Sequence, residues 1–445
     1  MEQELIRVSE LRDYTATKKL LDEMNVVDIA VALEDIGEPV ALKVFRMLPK
    51  DKAAEVFAYL SHEVQREIVG AITDREINAI IEDMFLDDAV DFIEEMPASV
   101  VKKVLAGVPA EKREMINAFL QYPEDCAGSV MTIEYVALKR GCSVSEAFDI
   151  IRRTGVDKET IYTCYVIDHE RRLMGAVSVR TLLLSKPGDA VEDIMDAQVI
   201  SAQTLESKES LANDFRKYGL LAMPVVDNER RLVGIVTVDD VLTVQEEAAT
   251  QDFEIMAAMS PSETPYLKTG VFKMTKNRVF WLMLMMLSAT VTQAVIAGFE
   301  EGLSVMPALI AFIPMLMGTG GNAGAQSSTL VIRGIALEEI SLKDTLQVLW
   351  KELRVAVLCG AALVVVNFLR VWLTDKSHNA VLAATISLSL YCTVILAKSV
   401  GCLLPIGAKR LKLDPAVMAS PVITTIVDAG SLVIFFTLAK LILGI

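Results

Sequence analysis

Hydrophobic and polar positions follow three different rhythms along the chain. Over residues 1–125 apolar residues recur every three or four positions, as in Ala54, Val56, Phe57 and Leu60, and again in Ala89, Phe92, Ile93 and Met96. That spacing predicts short packed helices, punctuated by Pro49, Pro97 and Pro109. Stacked in succession they make an all-α superhelical N domain. Over residues 126–245 short β-rich runs alternate with helical stretches, the mark of α/β modules. Beyond residue 276 charged positions nearly vanish.

Five long apolar runs occupy that last part. Val279 to Phe299 is uncharged over 21 residues, and Val305 to Ile332 is uncharged but interrupted by glycines. Val355 to Leu369, Asn379 to Ala397 and Pro415 to Ile445 complete the set. Such a density of apolar runs predicts a five-helix α transmembrane domain, 276–445, with spans at about 279–299, 305–332, 353–374, 379–406 and 415–443. Bases cluster before the first span (Lys268, Lys273, Lys276, Arg278), between spans 2 and 3 (Arg333, Lys343, Lys351, Arg354) and between spans 4 and 5 (Lys409, Arg410, Lys412). The other two loops, one around Glu300 and Glu301 and one with Arg370 and Lys376, are poorer in bases. By the positive-inside rule the N-terminal part is cytoplasmic and the C-terminus extracytoplasmic, as an odd span count requires. Met1 to Asp13 is polar and shows no apolar signal-peptide core. A multi-pass plasma-membrane protein is expected.

Charge sharpens the division. Residues 276–445 hold 9 acids and 13 bases, while residues 1–275 hold the remaining 50 acids and 30 bases, a net of −20. The soluble part repels nucleic acid and attracts cations. Cys126, Cys142, Cys164, Cys359, Cys392 and Cys402 form no C-x-x-C pair, and a reducing cytosol argues against disulfides. His62, His169 and His378 are too scattered for a zinc site. With no nucleophile–base arrangement, P-loop or metal–histidine cluster, an enzyme is not expected.

The α/β segment contains an internal repeat. Val166-Ile167-Asp168 followed by Leu173 to Val179 recurs as Val225-Val226-Asp227 followed by Leu232 to Val238, at a constant offset of 59. This resembles a tandem pair of CBS domains, 126–187 and 188–245. In that family Gly-x-x-Thr-x-x-Asp often binds nucleotide ribose and phosphate. Gly234, Thr237 and Asp240 match it; the first repeat has Gly175, Ser178 and Thr181 and lacks the acid. The alternative is a purely structural pair. An acidic helix, carrying Glu246, Glu247 and Asp252, then connects to the membrane part through a linker within 246–275, broken at Ser260 to Pro265.

Two features of the membrane part carry chemistry. Asp428 stands in the last apolar run, with thirteen uncharged residues before it and eleven after it. A carboxylate so deep in a span faces a pathway or a buried partner. Thr424 and Thr425, three and four residues earlier, share its helical face. Carboxylate and hydroxyl oxygens suit a hard cation such as Mg²⁺ or Ca²⁺, and one acid per chain, doubled by two-fold symmetry, can hold a hydrated Mg²⁺ through its waters. The alternatives are a proton-relay acid or a partner for Lys398, whose stem also has the length to snorkel to the cytoplasmic surface. Span 2 ends in Gly318-Thr-Gly320-Gly321-Asn322-Ala-Gly324-Ala-Gln326-Ser327-Ser328-Thr329. Glycines serve close helix packing; Asn322 and Gln326 point further, to a broken or tightly packed helix lining a wet cavity.

Together these residues resemble the MgtE family of magnesium channels and transporters, on Gly320 to Ser327 in span 2 and on Asp414-Pro415-Ala416, Pro421 and Thr425 to Asp428 in span 5. The resemblance implies a homodimer with the pore on its two-fold axis, embedded in lipid, and Asp428 as the selectivity carboxylate. It further implies that the connecting helix acts as a plug. Regulatory Mg²⁺ would then involve Asp87, Asp91, Asp240, Glu247, Asp252 and Asp414, with Thr243 and Gln251 standing where carboxylates can occur. ATP at the CBS pair is a further expectation. Facing carboxylates repel each other until a cation lies between them, so the implied function is a Mg²⁺-gated Mg²⁺ importer closed by cytosolic Mg²⁺. The alternatives are a broader Co²⁺, Mn²⁺ or Ca²⁺ transporter, and a membrane-anchored nucleotide sensor.

Overall fold

The computed structural model of the chain describes residues 1–11, 13–36, 38–262, 266–267, 269–374 and 379–444. Lys268, Lys376, His378 and the end of the Ser260–Pro265 break lie outside the described residues. The chain forms two compact units, Met1–Gln245 and Glu246–Ile445.

The first unit opens with ten helices of eight to ten residues, from Glu2–Glu10 to Ala110–Phe119. Pro49, Pro97 and Pro109 each sit at a helix N-cap, where a missing N–H has no cost. Thr73 and Glu76 close a reciprocal capping box on the helix Asp74–Asp83. Two lysines cap helix C-termini in the same way. Lys52 Nζ donates to the carbonyls of Leu21 (2.5 Å) and Met24 (2.8 Å). Lys112 Nζ donates to those of Glu82 (3.0 Å) and Met84 (2.6 Å). A cation at the negative end of a helix satisfies carbonyls the helix leaves unpaired. The apolar faces meet in one core, where Phe57 and Phe92 pack edge to face at 5.2 Å.

Two three-stranded sheets follow. β1 (Tyr135–Lys139) pairs in parallel with β2 (Thr160–Ile167), which pairs antiparallel with β3 (Leu173–Ser178). β4 (Ala202–Gln203), β5 (Ala222–Val226) and β6 (Leu232–Thr237) repeat the arrangement. The 59-residue offset survives in the register: Val166 faces Gly175 and Val225 faces Gly234. Both polar turns are built alike. Asp168 Oδ1 accepts from the amides of Glu170 and Arg172, and Asp227 Oδ1 from those of Glu229 and Arg231. Arg171 and Arg230 adopt positive φ, of 63° and 61°. This is the CBS pair expected from the repeat. The helix Val238–Met256 follows β6 directly, and the division between the two units falls inside it.

Among the described residues, the second unit contains five helices long and apolar enough to cross a membrane: Val271–Gly298, Pro307–Ala336, Leu342–Thr374, Ala380–Arg410 and Pro415–Leu443. Spans 1 and 3 begin earlier than their uncharged runs, because lysine and arginine are good helix formers and end the apolar pattern without ending the helix. Span 4 is central, in contact with spans 2, 3 and 5. Span 1 packs chiefly on span 5; its apolar window has no buried residue, against 56% for span 4. The helix of span 2, Ile313–Ala336, is unbroken. At Gly401 a Cβ would lie 2.3 Å from the carbonyl oxygen of Gly324, so spans 2 and 4 touch backbone to backbone.

Candidate functional site

Asp428 opens onto a cavity of 710 Å³ between spans 1 and 5. Thr424 and Thr425 join it on span 5; Ser288, Thr292, Gln293 and Glu300 join it from span 1 and the turn after it. The lining on span 1 runs from Met285 to Glu300, about 22 Å of helix against a hydrocarbon layer of about 30 Å. Thr424 Oγ1 and Thr425 Oγ1 both donate to the carbonyl of Pro421, at 2.9 and 3.1 Å. Thr425 Oγ1 also lies 3.2 Å from Ser288 Oγ of span 1, so the hydroxyls, engaged with backbone and with each other, keep acceptor lone pairs for the cavity. A half-buried carboxylate beside such oxygens is a place for a cation and its water shell.

Asn322 and Gln326 are not among the residues lining that cavity; both lie on an exposed face of span 2. The glycines around them serve packing instead. A Cβ at Gly320 would meet Thr393 and Val427, and one at Gly321 would meet Thr424 at 2.9 Å. Lys398 neither snorkels nor reaches Asp428. It is buried, 5% exposed, and its Nζ lies 3.9 Å from Glu352 Oε2 on span 3 and 3.2 Å from Ser327 Oγ on span 2. Of the alternatives left open for Lys398, the structure favours pairing with an acid, and that acid is Glu352 rather than Asp428: a long stem does not carry an ammonium to the surface when a carboxylate and a hydroxyl stand nearer.

A second centre lies in the first unit. Asp87 and Asp88 begin the helix Leu86–Glu94, and Asp239 and Asp240 begin Val238–Met256. Burial, then the Asp88, Asp240 and Glu159 charges, hold Asp87 well above the usual carboxylate range. Burial and the neighbouring Asp240, Asp91 and Asp239 raise Asp88 to about 7. Burial with Asp239 and Asp240 raises Glu159 to about 7. Asp240 rises to about 6, chiefly by burial, although a hydrogen bond from Thr237 opposes the rise. Asp91 sits at the exposed edge, 4.0 Å from His62 Nε2. Among the described residues no three His, Cys, Asp or Glu side chains close into a metal cage. The acids suit a hydrated cation held through water, which is how Mg²⁺ usually binds.

Glu247 and Asp252 stand further along Val238–Met256, in the second unit. The end of that helix, Ile255 and Met256, packs on Ile332, Ala416 and Ala419 at the ends of spans 2 and 5. Asp414 accepts from the Ala416 amide at 2.7 Å and so caps the start of span 5. In the CBS pair, Gly234 admits the carbonyl of Thr132, 2.7 Å from where a Cβ would stand. The single Thr237 hydroxyl proton is shared between Asp239 and Asp240. These bonds leave the Thr237 hydroxyl no proton for a phosphate, while Asp240 retains acceptors that fit ribose hydroxyls.

Residues 313–438 match the MgtE family of divalent cation transporters, 24–125 the MgtE intracellular N domain, and 127–187 and 191–247 the CBS domain. The chain is 36% identical to the magnesium transporter MgtE of Thermus thermophilus over 97% of its own length and 96% of that protein's. The chain belongs to the MgtE family. A Bacillus subtilis MgtE is 31% identical over 98% of this chain and 95% of its own. Among solved structures, the cytosolic domain of the Mg²⁺ channel MgtE in complex with ATP is matched over its whole length and 55% of this chain, at 35% identity and a TM-score of 0.52. The soluble part of a magnesium transporter follows, at 25% identity and 0.53, covering 56% of this chain and 98% of its own. This MgtE chain is thus a multi-pass membrane protein with a helical N domain and a CBS pair.

Several residues now at these centres escape sequence reasoning. Ser288, Thr292 and Glu300 recur at multiples of four along span 1, a one-face stripe visible in the sequence but hidden in an apolar run. Asp88, Glu134, Glu159 and Asp239 join the acidic cluster from four separate stretches. Glu352 stands beside Lys351 and looks like an interfacial charge.

Proposed function

We propose that this chain imports Mg²⁺ across the plasma membrane and that the Asp428 cavity is one half of the ion pathway. The observation that carries this is a carboxylate deep in a span, set beside hydroxyl oxygens with acceptor lone pairs, in a member of a divalent cation transporter family. Such a wall attracts a cation and accepts hydrogen bonds from its waters, so the ion need not lose its shell, which Mg²⁺ surrenders reluctantly. A second copy would bring a second Asp428 to face the first across a two-fold axis. The bare flank of span 1 and the exposed amides Asn322 and Gln326 are reasons to expect such a partner. The flanking lysines and arginines favour a cytoplasmic first unit and an extracytoplasmic C-terminus.

Regulation follows from the acidic cluster. Asp87, Asp88, Asp240 and Glu159 repel one another, and the repulsion falls when Mg²⁺ binds among them. Asp91, Glu247, Asp252 and Asp414 are further carboxylates we assign to this control. The compact state is then populated at high cytosolic Mg²⁺, and the helix ending at Met256, seated on spans 2 and 5, closes the pathway. ATP at the CBS pair is supported by the ATP complex of the related cytosolic domain; here its ribose would meet Asp240, and its phosphates would need an accompanying cation beside these acids.

Rescue of a Mg²⁺-uptake-deficient strain tests the transport reading. The native chain restores growth at low Mg²⁺; Asp428→Ala does not. Equal rescue by Co²⁺, Mn²⁺ or Ca²⁺ supplements would instead mark a broad divalent carrier. Limited proteolysis across a Mg²⁺ titration tests regulation, with protection near residues 120–130 and 245–270 at roughly millimolar Mg²⁺.

A further inference from the structure

Lys398 is the one charged side chain among the described residues that is buried throughout. Its surroundings are tightly specified. It donates to Ser327 Oγ at 3.2 Å, and Ser327 Oγ donates its own proton to Glu352 Oε2 at 2.6 Å. The side chains of Lys398 and Glu352 are 6% and 13% exposed. An ion pair in such a place is costly to desolvate and persists only if geometry and added hydrogen bonds offset that cost. The cation-path chemistry does not use it.

Its position suggests what it does. Ser327 lies one turn after Gly324, and Lys398 one turn before Gly401, the two glycines at which spans 2 and 4 touch. On its other side span 2 meets span 5: Gly321 abuts Thr424, and Gly320 and Gly324 abut Val427 and Ile423. Span 2 is therefore held between this network and the helix that carries Asp428. We propose that Lys398, Ser327 and Glu352 form a positioning lock. It pins spans 2, 3 and 4 in one register, and through the glycine face of span 2 it sets where Thr424 and Asp428 stand. It also neutralises the ammonium, so that a lysine within the membrane does not repel the ion.

The inference rests on the transport reading for its flux readout, and on stability for a readout that does not need flux. Lys398→Met and Glu352→Gln each leave the other partner unmatched, and the thermal midpoint of the full chain in detergent should fall by about 10 °C. The double variant Lys398→Met/Glu352→Gln removes both charges, and its midpoint should return to within a few degrees of native. Uptake by the refolded double variant then separates a lock from a filler. If the three side chains are a lock, the double variant needs about threefold or more Mg²⁺ for half-maximal uptake and prefers Mg²⁺ over Ca²⁺ less strongly, whereas Lys398→Arg, which keeps the charge, retains most of both. Single variants that melt like native, or a double variant with native half-saturation and ion preference, would overturn the lock. Should the native chain carry no Mg²⁺, the transport reading fails, while the midpoints still decide whether the three side chains act as a unit.

Discussion

Acids are used in opposite ways in the two units. In the first, carboxylates are gathered: Asp87, Asp88, Asp240 and Glu159 share a half-buried region, and burial with mutual repulsion raises their proton affinities. Within the spans of the second they stand singly, with Glu300 on the Asp428 cavity wall contributed from the turn after span 1. Asp428 stands in its cavity among hydroxyls and amides, and Glu352 is matched to Lys398. Gathered acids repel one another and would respond collectively to a cation. The single acids would act singly, Asp428 toward the pathway we propose and Glu352 toward structure. Removing a charge should therefore have opposite consequences in the two places.

The largest effect is expected at Asp428. A divalent ion about 5 Å from a carboxylate in water-like surroundings is attracted by about 1.7 kcal/mol, and in the dimer we propose a second Asp428 would double this. Asp428→Asn should thus lower Mg²⁺ uptake into proteoliposomes by roughly 100-fold without changing the fold. Loss of only a fewfold would move the selecting charge elsewhere, with Glu300 the next candidate on the cavity wall.

Protons give the next largest effect, and it belongs to the first unit. Asp88, Glu159 and Asp240 rise from 3.8, 4.5 and 3.8 to about 7, 7 and 6. Between those limits the folded metal-free unit binds more protons than the unfolded chain, so its stability falls as pH rises from about 4 to about 7 and levels off above that. Mg²⁺ bound among these acids, as we propose, would compete with these protons. Hydrogen exchange of the segments 86–94 and 238–244 should show strong Mg²⁺ protection at pH 8 and little at pH 5. Equal protection at both would place the ion away from this cluster.

The same kind of substitution that is expected to impair uptake at Asp428 should help here. Asp88→Asn removes one of the repelling charges, and the metal-free thermal midpoint should rise by about 2–4 °C. The Mg²⁺ concentration needed for proteolytic protection should rise with it. A lower midpoint would mean that the Asp88 carboxylate has a favourable partner and that repulsion is not what the cluster stores.

How much of this contrast was readable in the sequence depends on the range of the interaction. Five spans follow from apolar runs about as long as a bilayer is thick, and the CBS pair from a 59-residue echo that reappears strand for strand in the register. Asp428 stands out because nothing charged surrounds it. Pairings across spans left no such mark. Glu352 sits in Lys351-Glu352-Leu353-Arg354, where a charge looks interfacial, so its match to Lys398 is visible only once spans 3 and 4 are packed. The polar stripe of span 1 is uncharged until Glu300 and disappears into the apolar average. Asn322 and Gln326, the most conspicuous polar residues of span 2, stand outside the Asp428 cavity, because the glycine face between them is the one that packs.

The smallest effect offers the finest discrimination. Lys112 caps the helix Asp74–Asp83 and also lies within reach of the Glu134, Asp83, Glu82 and Asp88 charges. Lys52 makes the equivalent cap on the helix Tyr14–Glu23 and serves as the comparison. Each loses two hydrogen bonds on substitution by methionine, so each variant should lose about 1–2 kcal/mol of stability without metal. Only Lys112→Met also removes a positive charge from beside the gathered acids, which deepens their repulsion. Its stabilisation by Mg²⁺ should exceed that of the native chain, whereas Lys52→Met should gain the native increment and Lys112→Arg should behave as native in both. Identical increments for the two methionine variants would reduce Lys112 to a cap and leave the cluster's charge set by its carboxylates alone.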